Sequence, residues 1–394
     1  MKKISKRALT LTGQPMFHIL SRAKQLEADG KDVLHFELGD PNFDTPQQVK
    51  DEAYRSLLDN NTHYCESRGL KEFRQVAADL TEKRSRGFRP NPDKQILVTN
   101  GANSQLGYVI NCVTDADVGD EVITTNPCFP TYTSQRNFSG VKSVFVDLKE
   151  ENELRLNPKD LEDKITDKTR LIIINSPNNP TGSVLTQKET KEIYEIAKKH
   201  DVYLLSDEIY ARMIYPDSET KFSSPSIYDQ CKERVIVANG FSKSYSMTGW
   251  RIGSLMGPED LVEKMALALE TNCSCVSPFI QKAAIKALTM DQTPINEMMH
   301  EYRRRRDLIY DGLNSLKGVS AVKPKGAFYI FPNISGTGMK DKEFVDLMLE
   351  KANVALCPGS FFGHNLENYV RFSYASSERK DIEVAIDRMS EILK

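Results

Sequence analysis

A lysine, an aspartate and an arginine stand out in this sequence by the company they keep. Lys243 lies in Asn239-Gly240-Phe241-Ser242-Lys243-Ser244-Tyr245-Ser246-Met247-Thr248-Gly249-Trp250-Arg251-Ile252-Gly253, a segment that combines small residues with one lysine and the only tryptophan of the chain. Asp207 closes an apolar run, Leu204-Leu205-Ser206-Asp207-Glu208-Ile209-Tyr210, and Arg371 interrupts another, Val370-Arg371-Phe372. An amine attacks an aldehyde only when unprotonated, so a working lysine must titrate well below its free pKa of about 10.4. A planar guanidinium captures a carboxylate bidentately, which an ammonium cannot do. Alone, each residue has an ordinary reading: a solvated surface lysine, a turn-forming aspartate, an arginine in a salt bridge. The chemistry rests on their combination.

Such residues need elements that end where the site begins. Short runs rich in branched residues recur at 96–99, 122–125, 144–146, 171–174, 202–205, 235–237 and 252–256, separated by amphipathic stretches. That alternation predicts a mainly parallel sheet covered on both faces, an α/β domain. Thr186 and Glu189 stand at capping-box spacing, and Ile193, Ile196, Ala197 and His200 put a mostly apolar stripe on the helix that leads to Val202. The strand over 171–174 runs into Asn175-Ser176-Pro177-Asn178-Asn179-Pro180-Thr181-Gly182, where regular structure must stop. Open α/β sheets bind ligands at this end of their strands. The C-terminal part differs: helices over 342–351 and 381–393 bracket short strands at 327–331, 354–356 and 369–373, a smaller α+β domain. In the final helix Ile382, Ala385, Ile386, Met389, Ile392 and Leu393 form one stripe and are assigned to the core.

Together the Lys243 segment, the strand ending at Asp207 and Tyr210, the Asn-Asn-Pro-Thr-Gly turn and Arg371 resemble the class I, fold-type I pyridoxal-phosphate-dependent aminotransferases, the family of aspartate and aromatic aminotransferases. The likeness runs from about Gly39 to Ala375, with the motifs in the family's order. It implies a fold-type I transferase in which residues 45–280 form a large cofactor-binding domain with a mainly parallel mixed sheet, while 1–44 and 281–394 form the small domain. Lys243 matches the Schiff-base lysine, whose amine, once displaced by an amino acid, serves as general base between Cα and the cofactor's C4′ carbon. Asp207 matches the buried carboxylate beside the ring nitrogen, needed because the ring takes up electrons only when protonated. By the same resemblance Asn179 and Tyr210 donate to the phenolic oxygen. Phe129, in Pro127-Cys128-Phe129-Pro130, falls where the family stacks an aromatic on the ring, and is otherwise a core residue.

The phosphate needs amides at a helix start together with cationic and hydroxyl side chains. Asn100-Gly101-Ala102-Asn103-Ser104-Gln105 follows a strand and opens a helix, so the amides of Ala102 and Asn103 are candidates, and Ser242 and Arg251 match the family's side-chain ligands. Tyr64, in Thr62-His63-Tyr64, matches a tyrosine that reaches the neighbouring subunit's phosphate, which implies a homodimer with shared active sites. Arg371 matches the arginine for the substrate α-carboxylate, with the Gly39 backbone, in Leu38-Gly39-Asp40-Pro41, opposite, and Asn179 is also counted among the substrate-binding residues.

Substrate choice is less legible. In the most similar subgroup aspartate is read by a lysine at the position of Asn103 and by small hydroxylated residues near Met16; this chain has Asn103 and Gln14-Pro15-Met16-Phe17-His18 instead. That departure counts against aspartate. Met16 and Phe17 either line a pocket for an aromatic or aliphatic side chain or start the first helix as a hydrophobic staple. The resemblance makes 2-oxoglutarate the expected amino acceptor, in ping-pong transamination. A carbon–sulfur lyase on the same fold and lysine is the alternative.

Bulk properties agree with small-molecule chemistry. The 394 residues are too many for one ordinary core, and 27% charged with 39% hydrophobic residues is ordinary for a globular chain. With 53 basic against 55 acidic side chains the net charge is −2, which gives no bulk attraction to nucleic acid or an anionic membrane. The strongest basic run, Arg303-Arg304-Arg305-Arg306, reads as a solvated helix face. Seven scattered cysteines fit a reducing compartment, and Cys273 and Cys275, without a second pair or a suitably spaced histidine, read as packing rather than a metal site. The basic start Met1-Lys2-Lys3 is followed by no apolar core of signal-peptide length, and no stretch approaches the ~20 apolar residues of a membrane span, so a cytoplasmic enzyme is expected. A ligand-sensing regulator on this fold would need an added DNA-binding domain of about 60 residues, for which the early start of the pattern leaves no room. A nicotinamide dehydrogenase would carry G-x-G-x-x-G after its first strand, and the sequence has no such run.

Overall fold

The branched runs become one seven-stranded sheet. In a computed structural model that describes residues 3–11, 13–83 and 87–394, the strands lie in the spatial order Ile96–Thr99, Gly253–Met256, Val235–Gly240, Tyr203–Asp207, Thr169–Asn175, Glu121–Asn126 and Lys142–Asp147. Gly253–Met256 runs antiparallel to both neighbours, and the other pairings are parallel. Met1 and Lys2 of the basic start lie outside the described residues.

Strand composition follows position. The inner strand Glu121–Asn126 is buried along its whole length, as a strand covered on both faces must be; of the two edge strands, Ile96–Thr99 is buried throughout and Lys142–Asp147 exposes a charged residue at each end. The helix Gln187–Lys199 starts with the expected capping box: Thr186 Oγ1 accepts from the Glu189 amide at 3.1 Å, and the Thr186 amide donates to Glu189 Oε2 at 2.8 Å. Its Ile193 and Ala197 pack into the core on the sheet, and Ile196 is buried as well.

Near the C-terminus Leu34–His35 pairs in parallel with Val354–Ala355, and Cys357–Pro358, Val370–Ser373 and Tyr329–Ile330 form a three-stranded antiparallel sheet. The strand expected over 354–356 shortens to Val354–Ala355; Leu356 is in no strand, and the next strand starts at Cys357. The strand expected over 327–331 shortens to Tyr329–Ile330, because Ala327 has a left-handed φ of 56° and Pro332 has no amide to donate. The helix expected over 342–351 is α-helical for Asp341–Leu347 and widens into a π turn at Met348–Ala352. The helix Arg379–Ile392 buries Ile382, Ala385 and Met389 and packs on Thr293–Ser315.

That last helix corrects the reading of the arginine run. Successive helical residues point about 100° apart, so four in a row cannot share a solvated face. Arg305 and Arg306 are buried. Arg305 Nη1 donates to Asn42 Oδ1 at 2.9 Å and to the Ala375 carbonyl at 3.1 Å, while Arg306 forks onto Asp217 at 2.6 and 3.1 Å. Only Arg303 and Arg304 stay in solvent. Among the described residues no helix is long and apolar enough to cross a membrane.

Candidate active site

The carboxyl ends of the parallel strands deliver the chemistry to one place. Thr169–Asn175 ends beside Asn179, Tyr203–Asp207 ends on the aspartate itself, and Val235–Gly240 runs into the turn that carries Ser242 and Lys243. Together with Gly39 and Arg371 these residues border a cavity of about 270 Å³. Lys243 Nζ points into it and donates to the Gly39 carbonyl at 2.5 Å. Burial pulls this amine down to about 8; Asp40 opposes the shift, and the cations Arg371 and Arg251 add to it.

Asp207 is buried at the cavity floor. Its Oδ2 accepts from the Tyr132 hydroxyl at 2.6 Å and its Oδ1 from the Ile209 amide at 3.2 Å. Burial raises its pKa to about 6 against the pull of both donors. Phe129 lies at the cavity wall, immediately before the helix Pro130–Ser139, with its ring edge-to-face to Tyr132 at 5.8 Å.

The opposite wall belongs to Arg371, Asn179, Tyr210 and Tyr329. Arg371 is 1% exposed; Nη1 donates to Asn179 Oδ1 at 3.2 Å and Nη2 donates to the Glu37 carbonyl. Its guanidinium carbon lies 4.8 Å from the Tyr329 ring centre and 4.7 Å from that of Phe362. Its Nε is buried without a hydrogen-bond partner among the described residues, and the salt-bridge reading finds no carboxylate partner among them. A buried cation held by carbonyls and aromatic faces has binding capacity left for an anion.

The helix Ala102–Val113 starts at the cavity, so the amides of Ala102 and Asn103 belong to its unsatisfied first turn. Gly101, at φ 84°, makes the approach possible: a Cβ there would sit 2.6 Å from Arg251 Nη2. Arg251, itself in a left-handed conformation at φ 53°, donates from Nη1 to the Thr248 carbonyl at 2.9 Å and brings its guanidinium to this helix start, with Ser242 beside it. Amides, a hydroxyl and a guanidinium brought together beside Gly101 are a phosphate-type donor set.

Gly101, Arg251, Ser242, Asp207 and Lys243 are thus the residues that could hold a phosphorylated aromatic aldehyde here. Tyr64 is not among them. Its side chain is 87% exposed and lies outside the cavity. Reading the sequence missed Tyr132 and Tyr329. Tyr132 stands three positions after Phe129 in a first helical turn, and Tyr329 follows Ala327-Phe328; neither has a local pattern that separates it from a core tyrosine. Met16 both opens the helix Met16–Ala28 and lines the cavity, and Phe17 lines it too while half its surface stays exposed.

The sequence model of the family "Aminotransferase class I and II" matches residues 31–389. The chain is 43% identical to the aromatic-amino-acid aminotransferase 2 of Thermococcus litoralis over 364 residues, 92% of each chain. It is also 43% identical to the aspartate aminotransferase of Pyrococcus abyssi over 371 residues, 94% of each. Its fold is similar to that of the Thermus thermophilus aspartate aminotransferase solved with maleate, with a TM-score of 0.92 at 31% identity and all of both chains covered. A match of this extent, on a cavity that presents the donor set of a phosphorylated aldehyde, places the chain in the class I and II aminotransferases: it is a pyridoxal-phosphate-dependent aminotransferase of fold type I.

Proposed function

We propose that this aminotransferase takes its amino group from an L-amino acid with an apolar side chain, aromatic in the first instance, and passes it to 2-oxoglutarate by a ping-pong mechanism with Lys243 as the Schiff-base lysine. The observation that carries the donor class is the set of cations in the cavity. Lys243, Arg251 and Arg371 are the only ones that border it among the described residues, and each already has a task. A second donor carboxylate meets no cation, whereas Met16, Phe17 and Leu38 offer apolar surface. The acceptor rests on likeness to the family; the neutral amides of Gln14 and Asn103 are available to its distal carboxylate.

When bound, pyridoxal phosphate supplies an aldehyde that condenses with amines and a ring that takes up the electron pair left at Cα. Arg371 binds the substrate α-carboxylate, and with Asn179 Oδ1 engaged by Arg371 the Asn179 Nδ2 is left as a donor toward the cofactor's phenolic oxygen, beside the Tyr210 hydroxyl. Asp207 keeps a proton on the ring nitrogen. Lys243, with its pKa already near 8, is poised to take the Cα proton and return it one carbon away. Walls of Phe129, Tyr210 and Tyr329 keep water from the reacting carbon.

The same reading divides the chain into a large domain, 45–280, and a small one, 1–44 with 281–394; the pairing of Leu34–His35 with Val354–Ala355 supports joining the N-terminal segment to the C-terminal part. Met1, Lys2, Thr12 and residues 84–86 of these spans lie outside the described residues. We further propose a homodimer in which Tyr64 reaches the partner's phosphate. Exposed Tyr54, Leu57 and Leu58 precede Tyr64 in one stretch, an apolar surface of the kind a second copy covers. Free cysteines at Cys65, Cys112, Cys128, Cys231, Cys273, Cys275 and Cys357 support a reducing, cytoplasmic setting.

The test is a panel of amino acids assayed with 2-oxoglutarate, alongside cystathionine alone. Phenylalanine and tyrosine are expected to yield their 2-oxo acids and glutamate with kcat/KM at least tenfold above aspartate. Pyruvate and ammonia from cystathionine would instead favour the carbon–sulfur lyase, and aspartate as the best donor would overturn the apolar-donor reading.

A further inference from the structure

Tyr329 stands where three parts of the site meet. Its hydroxyl lies 2.8 Å from the Tyr210 hydroxyl, with the two rings edge-to-face at 5.7 Å. The face of its ring lies under the Arg371 guanidinium at 4.8 Å. Its hydroxyl end also occupies the space beside Gly39, where a Cβ would collide with it, and Gly39 is the residue whose carbonyl accepts from Lys243. The ring is buried, and Phe328 and Tyr210 pack around it.

A phenol has one proton to give. If Tyr329 supplies its own to the Tyr210 oxygen, the Tyr210 proton stays available for an acceptor in the cavity. If Tyr329 has no hydroxyl, the Tyr210 oxygen has lost its fixed neighbour and the Tyr210 proton its fixed direction. The ring does separate work: a buried guanidinium lying on an aromatic face is held in one plane, which a bidentate partner requires.

We propose that Tyr329 is a positioning residue that acts on both sides of the reaction, holding the Tyr210 hydroxyl toward the cofactor's phenolic oxygen and the Arg371 guanidinium toward the substrate carboxylate. This rests on the roles given above to Tyr210 and Arg371. The two functions separate by chemistry: the hydroxyl serves Tyr210, and the ring serves Arg371. Tyr329→Phe removes the first alone, and Tyr329→Leu removes both.

The experiment compares Tyr329→Phe, Tyr329→Leu, Tyr210→Phe and the Tyr210→Phe/Tyr329→Phe pair as holoenzymes. Two quantities are read: the pH midpoint of the bound cofactor's absorbance change, and KM against kcat for phenylalanine. Tyr210→Phe is expected to raise the midpoint. Tyr329→Phe should raise it in the same direction by a smaller amount, leave KM within about twofold, and add nothing in the double variant, since the hydroxyl acts only through Tyr210. Tyr329→Leu should in addition raise KM roughly 5- to 30-fold, the size of a buried cation–π contact. A midpoint that moves in Tyr210→Phe but not in Tyr329→Phe overturns the proposal and leaves the role of Tyr210 intact. A midpoint that moves in neither removes the assignment of Tyr210 and the proposal with it. Equal KM values for Tyr329→Leu and Tyr329→Phe overturn the ring's part.

Discussion

The Tyr132 hydroxyl donates to Asp207 Oδ2 across 2.6 Å, and both side chains are buried. Burial alone drives a carboxyl toward its neutral form, and it raises Asp207 to about 6. Tyr132 and the Ile209 amide pull the other way. The site therefore holds a carboxylate that is ionised at neutral pH by a modest margin and that owes part of this margin to one phenol. Tyr132→Phe should raise the Asp207 pKa by roughly one to two units, the worth of a hydrogen bond to a charged group. The Asp207 titration in the cofactor-free protein, followed by the infrared carboxyl band, would move up by that amount, and an unmoved midpoint would show that Tyr132 only fills space.

Asp207 also carries a stability consequence. Its folded pKa lies above the usual 3.8, so the folded cofactor-free protein binds the extra proton between about 3.8 and 6 and loses stability as pH rises through that window. The cost is fully present at pH 7. Asp207→Asn should accordingly stabilise the cofactor-free protein by roughly 1–3 kcal/mol at pH 7 and slow proton abstraction by orders of magnitude. Urea unfolding at pH 7 and at pH 4 checks the first part: the gain should shrink at the lower pH.

Lys243 behaves in the mirror sense. Its amine is lowered from 10.5 to about 8, so the penalty for holding it buried is complete below 8 and is relieved as pH rises toward 10.5. The rate of covalent attachment of pyridoxal phosphate to the cofactor-free protein should rise with pH around a midpoint near 8. Lys243→Ala should abolish attachment and turnover while leaving the fold intact. A midpoint near 10.5 would mean that the amine is solvated.

Gly39 has room for no side chain. A Cβ there would meet the Tyr329 hydroxyl, and the same residue's carbonyl accepts from Lys243. Gly39→Ala is expected to displace Tyr329 and to cut kcat/KM roughly 100-fold, the scale of an ångström-sized misplacement. A Gly39→Ala enzyme within twofold of the parent would show that this contact does not organise the site.

The parts of this site that were legible in the sequence are those whose residue type is costly in its setting. A charge in an apolar strand at Arg371, a carboxylate closing a buried strand at Asp207 and a lysine among small residues at Lys243 all contradict local packing, and that contradiction is visible without coordinates. Tyr132 and Tyr329 contradict nothing, because a tyrosine at a helix start or after an alanine–phenylalanine pair is ordinary core. Their function lies in partners 75 and 119 positions away in the chain, Asp207 and Tyr210. Arg305 and Arg306 misled in the opposite direction: a cluster of charge reads as solvent-facing until the helix turns half of it onto Asp217, Asn42 and the Ala375 carbonyl. The sheet was read almost whole, since strands buried on both faces must be written in branched apolar residues. The small-domain strand over 327–331 was read too long, because its ends are set by a left-handed Ala327 and by Pro332.

The most direct test of the central claim is a single half-reaction. Holoenzyme is mixed with one equivalent of ¹⁵N-labelled phenylalanine per site in the absence of any oxo acid, and the free products and the protein-bound nitrogen are measured. Ping-pong transamination predicts phenylpyruvate released in proportion to active sites, with the label retained on the bound cofactor until 2-oxoglutarate carries it off as glutamate. Label released as ammonia, or no phenylpyruvate at all, would contradict the account.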